Sequence, residues 1–114
     1  MKNDCLFCAI IDGEIPSNKV YEDDQVVAFY DLNPMAKVHV LVIPKAHIQN
    51  VDAVNEDNAA VVAKIFAKIG DIAKMAAITN GYRVISNCGA DAKQSVMHLH
   101  FHILGGQELP EKMA

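Results

Sequence analysis

The 114-residue sequence predicts a single α+β domain spanning residues 1–114, in which one antiparallel sheet of about five strands carries one long helix. Three observations carry this prediction. Several short apolar runs, none much longer than seven residues, are bounded by Gly, Pro, Asn and Asp. One stretch alone has a sustained helical period, with Val62, Ile65, Phe66, Ile69, Ile72, Ala73 and Ala76 recurring three and four residues apart. Finally, His98-Leu99-His100-Phe101-His102-Ile103-Leu104 alternates imidazoles with bulky apolar residues before Gly105-Gly106. On a strand this pattern sets the three histidines on one face and Leu99, Phe101 and Ile103 on the other.

The elements follow in order. Asp4 to Ile11 suits a short helix with Asp4 as N-cap and Asp12-Gly13 as its end. Lys19–Glu22 and Val26–Tyr30 flank the turn signal Asp23-Asp24 and read as a hairpin closed by Asp31-Leu32-Asn33-Pro34. His39–Ile43 is a nearly continuous apolar strand, stopped by Pro44. Asn55 is the expected N-cap of the long helix, Glu56 and Asp57 suit its positive end, and Asn80-Gly81 is its expected stop. The small residues Ala59, Ala60, Ala63 and Ala67 reflect either helix propensity or close approach by a second copy. Tyr82–Ser86 is a fourth strand, the polar loop Asn87–Ser95 leads into the histidine strand, and the tail from Gln107 is irregular.

Composition narrows the function classes. A net charge of −4 provides no basic field for nucleic acid or anionic membrane. No apolar run is long enough to span a bilayer, and the N-terminal run Cys5–Ile11 is too broken for a signal peptide, so a cytoplasmic protein is expected. Three cysteines in such a chain read as thiols or metal ligands rather than a disulfide framework.

Three roles suit a row of imidazoles. They can be hydrogen-bonded structural side chains, a His₃ metal centre that acidifies a bound water, or nucleophilic machinery for phosphoryl chemistry. In the last case the attacking ring must be neutral, with its other N–H held by a fixed acceptor. Asn87, Gln94 and Ser95, in the loop beside the row, are groups suited to phosphate oxygens.

The run His-φ-His-φ-His-φ-φ resembles the defining motif of the histidine triad (HIT) superfamily. The similarity extends to Gly13-Glu14-Ile15-Pro16, Tyr21-Glu22-Asp23-Asp24, Ala28-Phe29-Tyr30-Asp31, the segment HVLVIPKAH from His39 to His47, and Gln94-Ser95-Val96. Order and spacing look most like the Hint branch, the histidine triad nucleotide-binding proteins. The resemblance implies a HIT-like fold whose five-stranded sheet joins a partner's into ten strands across a homodimer. It implies hydrolysis of purine nucleoside phosphoramidates and related acyl-nucleotides. His100 would be the nucleophile, His102 the phosphate's hydrogen-bond partner and His98 a support at the site's edge. Ser95 would contact the phosphate or leaving group, Asn87 and Gln94 would lie at the nucleotide, and His39 would help orient the nucleophile. Asp31 would hold the ribose hydroxyls, with Phe7, Ile10, Phe29 and Leu32 around the base.

Cys5-Leu6-Phe7-Cys8 supplies two metal ligands and no more. By the same resemblance, His47 and His98 would complete a structural zinc site, and no catalytic metal is expected. The tail ending at Ala114 contains no Trp, unlike longer Hint tails, which leaves the leaving group open. Two alternatives stand beside the phosphoramidase reading: a dinucleoside polyphosphate hydrolase of the Fhit type, and a purine-nucleotide-binding regulatory protein with incidental hydrolysis.

Overall fold

A computed structural model of the chain describes residues 5–113. Its elements are α1 (Leu6–Ile11), β1 (Lys19–Glu22), β2 (Val26–Tyr30), β3 (Val38–Pro44), α2 (Ala59–Met75), β4 (Tyr82–Ile85) and β5 (Phe101–Gly105), with a single 3₁₀ turn over Val51–Ala53 that the sequence reading missed. The strands form one sheet in the order β1-β2-β3-β5-β4, every neighbouring pair antiparallel. The predicted α+β class and strand complement are therefore the observed ones.

The period-two pattern of the strands sorts side chains onto two faces, each with its own core. Val26, Ala28, Val40, Val42, Phe101 and Ile103 pack with Ile65, Ile69, Ile72 and Ala73 of α2. Val27, Phe29, Leu41 and Ile43 point the other way and pack with Phe7 and Ile10 of α1. Each fully buried isoleucine of α2 contributes roughly 1.5–3 kcal/mol through the apolar surface it removes from water. His39 and His102 are in phase with Leu41, which faces His102 directly across the β3–β5 ladder. Both imidazoles are thereby delivered to the α1 face. Gly105 ends β5 where a side chain would not fit, since a Cβ there would lie 2.8 Å from Ile78 Cγ2.

Three boundaries differ from expectation. Asp4, the expected cap of α1, lies outside the described residues; Cys5 occupies the cap, its Sγ accepting from the Cys8 N–H at 3.2 Å. The turn into α2 is tied by Asn55, whose Oδ1 accepts from the N–H groups of Asp57 and Asn58, but regular helix begins only at Ala59. At its other end α2 stops at Met75, well before Asn80-Gly81. Ala77 adopts φ 62°, and the N–H groups of Ala77 and Ile78 return to the carbonyls of Lys74 and Ala73. An alanine in this left-handed cap costs about 1 kcal/mol relative to glycine, and the burial of Ile78 in the α2 core offsets it.

The histidine strand is also shorter at its start than its alternation suggests. Only Phe101–Gly105 pair in the ladder. The Leu99 N–H instead donates to the Ile48 carbonyl, and the His100 carbonyl accepts from the Ser86 hydroxyl. Side-chain alternation nevertheless persists through this irregular stretch: Leu99, Phe101 and Ile103 all enter the α2 core.

Candidate active site and metal cluster

A cavity of about 290 Å³ opens between α1 and the sheet face that carries the histidines. Leu6, Phe7 and Ile10 of α1 form one wall, Phe29 and Leu41 the sheet wall, and His100 and His102 one end. Asp31, Leu32, Ser95 and Val96 also line it. Phe7 is the keystone of this wall: its ring meets Phe29, His100 and His98 edge-on at centroid distances of 5.6, 5.0 and 6.0 Å. A larger groove of about 610 Å³ near Tyr82, Arg83 and Gln107 carries no histidine and no cysteine. The imidazoles of His100 and His102 therefore belong to the smaller cavity.

Of the residues expected at a nucleotide site, Phe7, Ile10, Phe29, Asp31, Leu32, Ser95, His100 and His102 line this cavity. Asn87 and Gln94 do not. The Asn87 amide donates to the Ala92 carbonyl at 2.8 Å, closing its own loop. The Gln94 amide donates to the Gln49 and Val96 carbonyls, and its oxygen accepts from Gly89 N–H and Asn50. With donors and acceptor engaged and the residue buried, Gln94 knots the loop that presents Ser95 instead of facing a ligand. Ile15, Pro16, Ser17, Tyr30 and Asn33 also line the cavity and went unremarked as site residues. The Ser17 hydroxyl oxygen is buried and lacks a hydrogen-bond partner among the described residues. Nothing in the pattern Ile15-Pro16-Ser17 marks it as a wall residue, because a loop's direction is set by tertiary contacts.

Hydrogen-bond partners assign the tautomers of His100, His98 and His39. His100 Nδ1 lies 2.7 Å from the His98 carbonyl, which only accepts; Nδ1 therefore carries a proton, and in the neutral ring Nε2 is the nitrogen with the lone pair. His98 Nε2 lies 2.8 Å from the Pro44 carbonyl, so His98 has its proton on Nε2 and its lone pair on Nδ1. His39 Nδ1 accepts from the Met35 N–H at 3.0 Å, which puts the proton of neutral His39 on Nε2. That Nε2–H faces two acceptors, His102 Nδ1 at 2.8 Å and Asp31 Oδ2 at 3.5 Å. His39 thus meets His102, not the ring expected to be the nucleophile.

Burial, with smaller contributions from His100 and His39, pushes His102 down to about 4, while Asp31 pulls weakly the other way. Burial likewise holds His39 below the usual imidazole value against Asp31. Both rings are neutral at pH 7. In the unfolded chain His102 protonates near 6.5, so between about 6.5 and 4 the unfolded state binds more protons. Its contribution to stability is present above that window and lost as pH falls through it. Thermal unfolding is accordingly expected to shift to lower temperature from pH 7 to pH 4, and a His102→Gln variant to flatten that slope. Equal slopes in the two proteins would contradict the assignment.

On the far side of His98 lies a second cluster. The ligand atoms of Cys5, Cys8, His47 and His98 all lie within 4.8 Å of one another. His98 Nδ1 is 3.3 Å from Cys5 Sγ, 3.6 Å from Cys8 Sγ and 3.1 Å from His47 Nδ1, and Cys8 Sγ is 3.4 Å from His47 Nδ1. A tetrahedron with metal–sulfur bonds of about 2.3 Å and metal–nitrogen bonds of about 2.0–2.1 Å has edges of roughly 3.3–3.8 Å. Two thiols and two imidazoles at this spacing, with the His98 lone pair turned inward by the Pro44 carbonyl, form a donor set able to bind a metal ion. Asp31, His39 and His102 also gather their ligand atoms within 4.8 Å. There the 2.8 Å His39–His102 separation is a hydrogen bond, too short for an edge around a shared metal.

Fold and site together define a small α+β domain that sets an imidazole, tethered through Nδ1, in the lining of a largely apolar cavity. Residues 12–109 match the HIT domain, and the chain belongs to that family. "Protein HitA" of Neisseria gonorrhoeae is 39% identical over 103 residues, covering 90% of this chain and 96% of that protein. Among solved structures, a HIT family hydrolase from Clostridium thermocellum is 46% identical with a TM-score of 0.95, each chain covered in full. A histidine triad protein from Clostridium difficile is 49% identical with a TM-score of 0.92 over 98% of both chains. No helix among the described residues is long and apolar enough to cross a membrane.

Proposed function

We propose that this protein is a cytoplasmic hydrolase of purine nucleoside phosphoramidates and related acyl-nucleotides, working through a nucleotidyl-His100 intermediate. The observation that carries the reading is the hydrogen bond from His100 Nδ1 to the His98 carbonyl, which makes Nε2 the lone-pair nitrogen of the neutral ring, beside the cavity. In the first step the Nε2 lone pair attacks the α-phosphorus and a P–N bond to the ring forms. The bond from phosphorus to the leaving amine breaks, and the amine departs with a proton drawn from water, for which the Ser95 hydroxyl at the cavity margin is a carrier. In the second step water attacks phosphorus, the bond to His100 breaks and one proton returns to solvent. The nucleoside monophosphate leaves and His100 is neutral again.

The remaining residues bind and orient. His102, neutral with its proton on Nε2 when Nδ1 accepts from His39, donates to a phosphate oxygen. Asp31 accepts from the ribose hydroxyls, and the base lies among Phe7, Ile10, Phe29 and Leu32. Asn87 and Gln94 act through the loop they close. A volume of about 290 Å³ is at the small end of ligand pockets and suits one nucleoside better than two. That favours a phosphoramidate over a dinucleoside polyphosphate.

Cys5, Cys8, His47 and His98 would hold a zinc ion, which when bound cross-links α1 to the sheet and does no chemistry on the substrate. A homodimer is supported by the sheet itself. The helix α2 packs on β3, β1 and β2, which leaves Tyr82 and Val84 of edge strand β4, beside Phe66, substantially exposed on that face. A second copy paired along β4 would cover them and extend the sheet to ten strands.

The test is a substrate panel. Adenosine 5′-phosphoramidate is expected to exceed a diadenosine polyphosphate in kcat/KM by at least about tenfold, roughly 1.4 kcal/mol of transition-state preference. The reverse order would move the assignment to the polyphosphate hydrolases.

A further inference from the structure

Resting on the nucleotidyl-hydrolase reading, we infer that Asp31, His39 and His102 form a relay that senses the ribose: hydroxyl donation to Asp31 removes the competing acceptor at 3.5 Å, holds the His39 Nε2–H on His102 Nδ1, 2.8 Å away, and so sets His102 to donate to the phosphate. His39 is a positioning residue in this scheme and touches no substrate.

The geometry is a competition for one proton. His39 has a single N–H to give, because its Nδ1 is committed as acceptor to the Met35 N–H. Two acceptors stand before that Nε2–H, Asp31 Oδ2 and His102 Nδ1. The Asp31 carboxylate lines the cavity with its side chain 21% exposed, while its Oδ1 is already fixed by the Asn33 N–H at 2.8 Å. Oδ2 is thus the oxygen free to choose between His39 and a ligand. When His39 leans to Asp31, His102 Nδ1 loses its donor, and nothing selects which of its two nitrogens carries the proton. When hydroxyl groups saturate Oδ2, the only remaining acceptor for His39 is His102 Nδ1. His102 then holds its own proton on Nε2, at the end of the cavity where the phosphate lies. Burial of His39 and the neutrality of both rings keep this a choice between tautomers instead of between charges.

The consequence is specificity expressed in the chemical step. A ribonucleotide would be favoured over its 2′,3′-dideoxy counterpart in kcat as well as in KM, because the hydroxyls prepare a group that acts some residues away. Simple loss of two hydrogen bonds to Asp31 would change binding of ground and transition states together.

Two measurements test this. The first compares kcat for adenosine and 2′,3′-dideoxyadenosine 5′-phosphoramidates in the native protein and in His39→Gln, whose amide retains size and polarity. The native protein is expected to favour the ribonucleotide by about tenfold in kcat, and the variant to lower this ratio to within about twofold. An unchanged ratio in the variant, or a native kcat ratio near one with only KM altered, would overturn the relay. The second needs no variant: nitrogen NMR of His102 in native protein with adenosine or dideoxyadenosine 5′-monophosphate. The ribonucleotide is expected to shift His102 towards the Nε2–H tautomer and the dideoxy compound to leave it mixed; identical spectra would overturn the proposal. Failure to turn over either phosphoramidate would contradict the hydrolase reading itself, whereas turnover of both with equal kcat contradicts the relay alone.

Discussion

His100→Ala is expected to lower turnover of adenosine 5′-phosphoramidate by at least about 10³-fold while leaving affinity for adenosine monophosphate within about threefold. The separation of the two effects follows from position. In the proposed complex the base and ribose would meet Phe7, Ile10, Phe29, Leu32 and Asp31, whereas His100 would meet phosphorus. His100→Asn is the stricter version, because an amide can still donate to the His98 carbonyl and keep the Phe7 wall in place but has no nucleophilic nitrogen. Both variants are read by steady-state kinetics beside calorimetric binding. Turnover within tenfold of native in His100→Asn would remove the covalent route, and parallel loss of binding would reassign His100 to the wall of the pocket.

Removal of metal has the second large expected effect. The α1 helix is six residues long, too short to persist alone in water, and its cap is a cysteine sulfur belonging to the metal cluster. Freed of the cluster, α1 would be held chiefly by the packing of Phe7 and Ile10. Protein purified without chelator is expected to contain one zinc per chain. Stripping it, or making Cys8→Ser, is expected to lower the unfolding temperature by about 10 °C, corresponding to roughly 2–3 kcal/mol for a chain of this size. Because Leu6, Phe7 and Ile10 wall the cavity, nucleotide affinity should fall with it. Elemental analysis with paired melting curves decides the matter. A metal-free protein that melts at the same temperature before and after chelator would contradict the zinc assignment.

The frame of this molecule was legible because its strands and long helix carry strong periodicities. Val26–Tyr30 and Val38–Pro44 alternate between two cores, and the isoleucines of α2 repeat on one face. The triad's side-chain alternation was equally plain, yet its backbone was not. Outside the ladder, the Leu99 N–H goes to Ile48, the His100 carbonyl to Ser86 and the His98 carbonyl to the His100 ring. The same limit explains Asn87 and Gln94. A polar loop beside a phosphate-like site looks identical whether its amides face a ligand or tie the loop to itself, and only the carbonyls of Ala92, Gln49 and Val96 decide. The early stop of α2 had no local signal, since Ala77 takes a glycine's conformation under the pull of buried Ile78. Conversely, the four metal-cluster residues, drawn from three separate segments, converge as the resemblance implied.

The covalent role of His100 is tested most directly by stereochemistry at phosphorus. An adenosine 5′-phosphoramidothioate of known configuration, hydrolysed in ¹⁸O-labelled water, reports how many displacements occur, whether or not an intermediate accumulates. Two in-line displacements, first by His100 Nε2 and then by water, predict net retention of configuration. Net inversion would mean that water attacks phosphorus directly, and would contradict a nucleotidyl-His100 intermediate.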